Sequence, residues 1–214
     1  MKRKTNIQKT IDLYQNVGWK KYFSKWRFKV APYIEVEKYI PKEGKIIELG
    51  CGEGIFTNYM GISSVKRKIT GFEISSERIK EASRKLPNVS FKKADVTKAN
   101  LPSSDAIVLF HLLHHLMSQK DQEKLLEKCV KALKKNGSLV IVEVNMKPSL
   151  KFLIAWFFDH FIVPTAFEKR FFSRIFFRKQ NKWVKILKNN GLKVKKYEFE
   201  KNMPFPHIVF IGTK

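Results

Sequence analysis

Residues Ile46–Gly54 read IIELGCGEG: an apolar run meets an acid, and three glycines follow within five residues. A strand that feeds a glycine-rich turn and then a helix lets backbone lie close to a ligand, with the helix N-terminus beside it. The spacing narrows the ligand. A dinucleotide cradle reads G-x-G-x-x-G and aims the helix dipole at a pyrophosphate. Here the loop Gly50-Cys51-Gly52-Glu53-Gly54 is G-x-G-x-G. Glu48 precedes it, and Glu53 is expected to open the helix, where it would repel a diphosphate. Two acids here suit a ligand carrying positive charge and amino groups.

Outward from the loop, strands and helices alternate. KIIEL (45–49) reads as a buried strand, with a short helix near 54–61. KITGFE (68–73) is a second strand, and Ser75 or Ser76 caps the helix SERIKEASRKL. VSFKKAD (89–95), DAIVLF (105–110) and SLVIVEV (138–144) supply three more strands. A helix over 119–134 is marked by Leu125, Leu126, Cys129, Val130 and Leu133 at helical spacing. This order implies a mostly parallel sheet covered on both faces. A helix near 180–190 ends at Asn190-Gly191; 192–200 and 207–214 then form an antiparallel pair at one edge. Glu73 ends the second strand, where an acid can accept both hydroxyls of a ribose. Asp95 ends the third, where a carboxylate can accept from an adenine amine while the next backbone N–H reads a ring nitrogen.

ELGCGEG, GFEIS, KKADV, SDAIVLFHLLHHL and LKKNGSLVIVEV together resemble the class I S-adenosylmethionine-dependent methyltransferases over about residues 30–214. The resemblance implies a Rossmann-like, doubly wound sheet of seven strands with the last inserted antiparallel. It also implies S-adenosyl-L-methionine as cofactor and S-adenosyl-L-homocysteine as product. By that likeness Glu48, Gly50, Cys51, Gly52 and Gly54 hold the methionine part, Glu73 with Ile74 the ribose side, and Asp95 with Val96 the adenine. The Phe110 carbonyl and His111 lie near the donor amine and methyl. Residues 1–40 form a helical arm or lid, and 41–214 the methyltransferase domain.

Methyl transfer asks the protein mainly to position the acceptor and, where needed, to take a proton. His111 and then His115 are the candidate catalytic bases, with packing or capping as the alternative for His114 and His115. No [DN]-P-P-[FYW] follows the fourth strand, and neither Cys51 nor Cys129 stands where a base-modifying nucleophile would. Both cysteines read as structural. No metal site is expected. Ten of the 28 aromatic residues fall between Phe152 and Phe177, inside an insert over 148–180. With residues 10–30 and the loop Asn202–His207, this insert is expected to form an acceptor lid. Its apolar residues beside Lys169, Arg170, Arg174, Arg178 and Lys179 suit a hydrophobic molecule with an anionic end, or a membrane surface.

The net charge of +24 is compatible with nucleic acid, an anionic membrane or an acidic substrate, or with general lysine enrichment. The lysines are spread along the chain, so nucleic acid ranks below a hydrophobic acceptor. RNA methylation and a non-catalytic cofactor-binding module stand as alternatives, the latter opposed by the intact Glu48, Glu73 and Asp95. No stretch of roughly 18 apolar residues offers a membrane span. The expected setting is reducing and cytoplasmic, with peripheral contact at the inner membrane face. Oligomeric state is left open.

Overall fold

A computed structural model describes residues 5–16, 18–162, 165, 174–201 and 203–214. Lys169, Arg170 and Asn202, named above in the lid, lie outside these residues.

The core is a seven-stranded sheet in the order β3-β2-β1-β4-β5-β7-β6. Its strands are β1 (Gly44–Leu49), β2 (Arg67–Glu73), β3 (Val89–Lys93), β4 (Ser104–Phe110), β5 (Leu133–Val144), β6 (Lys193–Phe199) and β7 (His207–Thr213). The first five pair in parallel, and β7 runs antiparallel between β5 and β6. Alternate residues of β1, β4 and β5 face opposite sides, yet nearly all are apolar because helices cover both faces. On one face Ile47, Leu49, Ile107, Leu109 and Ile141 meet α6 (Gln119–Ala132) and α8 (Gln180–Asn189). On the other, Ile46, Val108, Phe110, Val140 and Val209 meet α3 (Tyr33–Glu37) and α4 (Ile55–Ser63).

Local signals place most boundaries. Ser75 caps α5 (Ser76–Ala82) by accepting from the Arg78 N–H, and Ser118 caps α6 through Asp121. α8 ends before Gly191, whose φ of +79° favours glycine. Three expectations shift. The helix after β2 stops at Ala82, short of the full SERIKEASRKL run. β5 begins at Leu133, directly after α6, with a register shift before Ser138 that takes Asn136 to positive φ. α4 starts at Ile55 with Gly54 as its N-cap, so Glu53 lies in the loop and does not open the helix.

The arm is three helices, α1 (Asn6–Asp12), α2 (Lys20–Val30) and α3, bonded firmly to the sheet. Arg67 is fully buried; it donates to the carbonyls of Ile40, Pro41 and Met60 and pairs with Glu37 at 2.8 Å. The Tyr14 hydroxyl, 1% exposed, donates to the Glu53 carbonyl at 2.8 Å. The described part of the insert comprises α7 (Leu150–Phe157), a wide helical turn over Phe158–Ile162, and a stretch from 174 to α8 with neither helix nor strand, in which Arg178 donates to Gln122 and pairs with Glu123, away from the crevice.

Strand order reverses between β1 and β4, which share a parallel register while their crossovers leave in opposite directions. A crevice opens there, beyond the strand ends, where open α/β sheets bind ligands. Gly50 and His111 are the residues that follow these two strands.

Candidate active site

The three loop glycines all have positive φ: Gly50 at +69°, Gly52 at +53° and Gly54 at +70°. Their surroundings differ. A Cβ at Gly50 would lie 2.7 Å from Leu112, and one at Gly54 would lie 2.7 Å from Ala82 and 2.8 Å from the Phe91 ring. A Cβ at Gly52 would meet no protein atom within 4 Å. Gly50 and Gly54 are therefore required by the protein's own packing, while Gly52 keeps open a space that a ligand can fill.

Two adjoining cavities share Gly50, Arg78, His111 and His115. The larger, about 460 Å³, is also lined by Glu73, Ile74, Asp95 and Val96. The other, about 300 Å³, is lined by Glu48, Cys51, Gly52 and Phe110, with Phe23, Trp26 and Tyr33 from the arm and Phe158, Asp159 and Ile162 from the insert. Of the residues expected to hold the cofactor, only Gly54 lines neither; it shapes the turn instead.

Glu73 is fixed by three backbone donors: the Gly52 N–H to Oε2 at 2.9 Å, and the Ile74 and Ser75 N–H groups to Oε1 at 2.8 and 2.9 Å. A carboxylate has about four lone-pair sites, so acceptor capacity remains for a diol. Asp95 accepts from the Thr97 N–H and hydroxyl through Oδ1, which holds its carboxyl below the usual range. Ile74 is 63% exposed and offers an apolar face beside Val96. Glu48 is buried at the end of β1 and accepts from the Thr57 hydroxyl. Burial pushes its pKa up to about 8, against the lowering pull of Thr57 and Arg27. It is thus mostly a neutral carboxyl at neutral pH and gains from an approaching positive charge. Glu53, the second acid of the sequence reading, lies 3.8 Å from Lys20 and 3.6 Å from Arg78. Its charge is met by the protein itself. Burial holds the Cys51 and Cys129 thiols up, which agrees with structural roles.

The histidines form an ordered set. His207 Nε2 lies 2.8 Å from the Val30 carbonyl and must donate to it. Burial depresses the His207 pKa to about 4, so its Nδ1 carries a lone pair at neutral pH. His111 Nε2, 3.1 Å away, then donates to that nitrogen, which leaves His111 Nδ1 as an acceptor. His111 also sits at φ +52°, a left-handed conformation for a residue with a side chain, held by its N–H to the Val142 carbonyl at 2.9 Å. Such a conformation costs on the order of 1–3 kcal/mol and concentrates at functional sites. Burial lowers the pKa of both His111 and His115 well below the ordinary value. The sequence reading expects a base titrating near neutrality; both rings are instead weak bases, because they are desolvated and near other potential cations.

His114 is buried, with Nδ1 on the Glu143 carboxylate and Nε2 at 3.7 Å from Asp159 Oδ2. Burial opposes its protonation, but Glu143 outweighs that and raises its pKa. Burial also raises Asp159. Sequence reasoning misses Arg27, Arg78, Glu143, Asp159 and His207 as site residues. The available signals were a lone acid in the apolar run SLVIVEV and a lone acid in FLIAWFFDHFIV.

Residues 47–141 match the family model described as a methyltransferase domain. The match spans 95 of the 214 residues and marks them as a methyltransferase domain, and the sheet around them has the fold of the S-adenosylmethionine-dependent methyltransferases. The domain is similar to the ubiquinone/menaquinone biosynthesis C-methyltransferase UbiE of Campylobacter jejuni, 28% identical over 136 residues, covering 61% of this chain and 57% of that protein. It is also similar to (S)-coclaurine N-methyltransferase of Thalictrum flavum, 33% identical over 113 residues, half of this chain and 30% of that one. The chain thus spans under two thirds of the length of these relatives. The methyltransferase fold recurs in human N-acetylserotonin methyltransferase solved with SAM, at a TM-score of 0.66 and 16% identity over 98% of this chain and 55% of that one. A chain of the Haloferax volcanii complex of the Trm112 activator with a methyltransferase gives 0.71 at 13% identity, with 95% and 96% covered. At such identities the solved structures speak for the fold. The family's cofactor, S-adenosylmethionine, fits what the domain offers: the open face at Gly52, the oriented Glu73 and the neutral Glu48.

Proposed function

We propose that the protein transfers a methyl group from S-adenosylmethionine to a hydrophobic small molecule with a lipid-like or quinone-like body. The observation that carries this reading is the 300 Å³ cavity beside Gly52. Aromatic and aliphatic side chains from the arm, α4, β4 and the insert wall it, and Arg27, Glu48, Glu53, Arg78, His111, His115 and Asp159 are its ionisable members. Its size and lining suit a small apolar ligand with a few orienting groups. Similarity to UbiE supports the same class.

S-adenosylmethionine supplies an activated methyl group. Gly50, Cys51, Gly52 and Glu48 would hold its methionine end, Glu73 its ribose, and Asp95 with Val96 its adenine. His111 lines both cavities and Phe110 beside it lines the smaller, so they would orient the acceptor toward the methyl. With Nε2 committed to His207, His111 can accept a hydrogen bond from the acceptor through Nδ1 and is better suited to orient than to ionise it.

The purified protein, incubated with methyl-labelled S-adenosylmethionine and a cell extract, is expected to place label in the organic-soluble fraction. Label confined to nuclease-sensitive material would overturn the reading in favour of RNA, and label confined to protein would overturn it likewise.

A further inference from the structure

Next to the acceptor cavity, His114 Nε2 is buried and has no hydrogen-bond partner. Its other nitrogen is held by Glu143, whose second oxygen accepts the Leu113 N–H at 2.9 Å, so the ring cannot turn to satisfy itself. Facing it at 3.7 Å is Asp159 Oδ2, too far for a hydrogen bond and well placed for a shared cation. A ring nitrogen of His115 completes the set: one ligand atom from each of the three residues lies within 4.8 Å of the others.

We propose that His114, His115 and Asp159 bind one divalent transition-metal ion. Two imidazoles and a carboxylate with further positions open form a ligand set that suits zinc, iron(II), cobalt(II) or manganese(II). Bond lengths near 2.0–2.2 Å imply ligand separations of about 3 Å, within reach of side-chain rotations at Asp159 and His115. Glu143 on the far nitrogen of His114 is the carboxylate that orients a metal-binding imidazole. Arg27 and Arg78 line the same cavity but are turned to other partners: Arg27 Nε donates to the Tyr33 hydroxyl at 2.9 Å, and Arg78 Nε faces Glu53 at 3.6 Å. No ligand spacing in the sequence announces this set, because Asp159 reaches it from the insert.

His115 and Asp159 line the cavity, so the open positions face the acceptor. This role rests on the proposed methyl transfer. The ion would bind an acceptor hydroxyl and lower its pKa. The O–H gives its proton to solvent, the oxygen forms the new bond to the methyl carbon, and the methyl–sulfur bond breaks with its electron pair going to sulfur.

The test needs no acceptor. The full chain, stripped with chelator and dialysed, is titrated with cobalt(II) and followed by visible absorption and by metal analysis. One equivalent with the bands of a nitrogen–oxygen site is expected. Asp159→Ala and His115→Ala, at the cavity wall, should each abolish stoichiometric uptake while far-ultraviolet circular dichroism stays unchanged. Glu143→Gln should weaken uptake roughly 10- to 100-fold. No uptake by the folded protein, or uptake retained by both cavity-wall variants, overturns the site. Because the readout involves no methyl transfer, its failure and failure of the proposed reaction are separable.

Discussion

A methyl group added at Gly52 would enter open space in the crevice, whereas one added at Gly54 would collide with Ala82 and Phe91. The two substitutions should therefore separate binding from folding. Gly52→Ala costs only the left-handed strain, about 1–2 kcal/mol, yet puts a methyl into the open space proposed for the cofactor. Overpacking of about 1–3 kcal/mol corresponds to a loss of roughly 5- to 150-fold in affinity. Gly54→Ala adds the collision and should lower the melting temperature more than Gly52→Ala does. Calorimetric titration with S-adenosylmethionine beside thermal unfolding of both variants checks this; equal affinity in Gly52→Ala and wild type would remove Gly52 from the binding surface. At this scale the sequence was legible wherever chemistry follows from backbone position. Glu73 ends β2, Gly50 and Gly52 follow β1, and Asp95 lies two residues past β3, which stops at Lys93 and not at Asp95 as expected; strand ends can be read approximately from apolar runs. Asp159, Glu143 and His207 were not legible, because their roles arise from approach across the fold, over 29 positions for His114 and Glu143 and 96 for His111 and His207.

Among the elements, α7 departs most from the amphipathic rule. Leu150, Leu153, Ile154 and Phe157, spaced as one stripe of a helix, are all exposed. α2, whose Trp26 lines the 300 Å³ cavity, exposes Tyr22 and Trp26 beside Lys25 and Lys29. An apolar stripe with basic and aromatic neighbours matches a helix lying on an anionic bilayer, and a chain of net charge +24 is complementary to such a surface. No helix among the described residues is long and apolar enough to cross a membrane. We expect the protein to float with vesicles containing phosphatidylglycerol and not with neutral ones. Leu153→Glu with Phe157→Glu should abolish flotation without changing the melting temperature. Retained flotation would show that α7 is not the contact. The aromatic run was legible as an insert of unusual composition. Its division into an exposed stripe and a cavity wall was not, since that depends on where Ala155, Phe158 and Asp159 turn inward.

The whole molecule gathers buried neutral histidines at the junction of arm, sheet and insert, which makes its stability depend on pH. His207 keeps a pKa of about 4 when folded, against an ordinary 6.5. The unfolded chain takes up a proton as pH falls through 6.5, and the folded chain does not until about 4. The contribution of His207 is therefore full above pH 6.5 and falls across that window as pH drops, by up to about 3 kcal/mol. Urea unfolding from pH 7 to 4.5 should differ in slope between wild type and His207→Gln by this contribution; His111 and His115 act with the same sign as His207, while Glu48 and His114, whose pKa values are raised, act with the opposite sign in both proteins. An unchanged slope in the variant would place the proton uptake elsewhere. The mostly parallel sheet with its antiparallel last pair was legible at this scale because strands alternate with helices; the link from β3 to β4 carries no helix among the described residues, and the strand order itself was not read.

The bond from His207 to the Val30 carbonyl joins positions 177 residues apart. During synthesis, α2 leaves the ribosome long before β7, so the histidine pair at the cavity wall cannot form until the final strand has inserted between β5 and β6. Contacts of such long sequence separation close late and slowly. The glycine loop, Glu73 and Asp95 precede β4, which supplies the other wall of the crevice, so the cofactor side can take shape once β4 has paired with β1, while β7 is still unmade. Competence toward the acceptor would arrive last, in a single step at the end of folding.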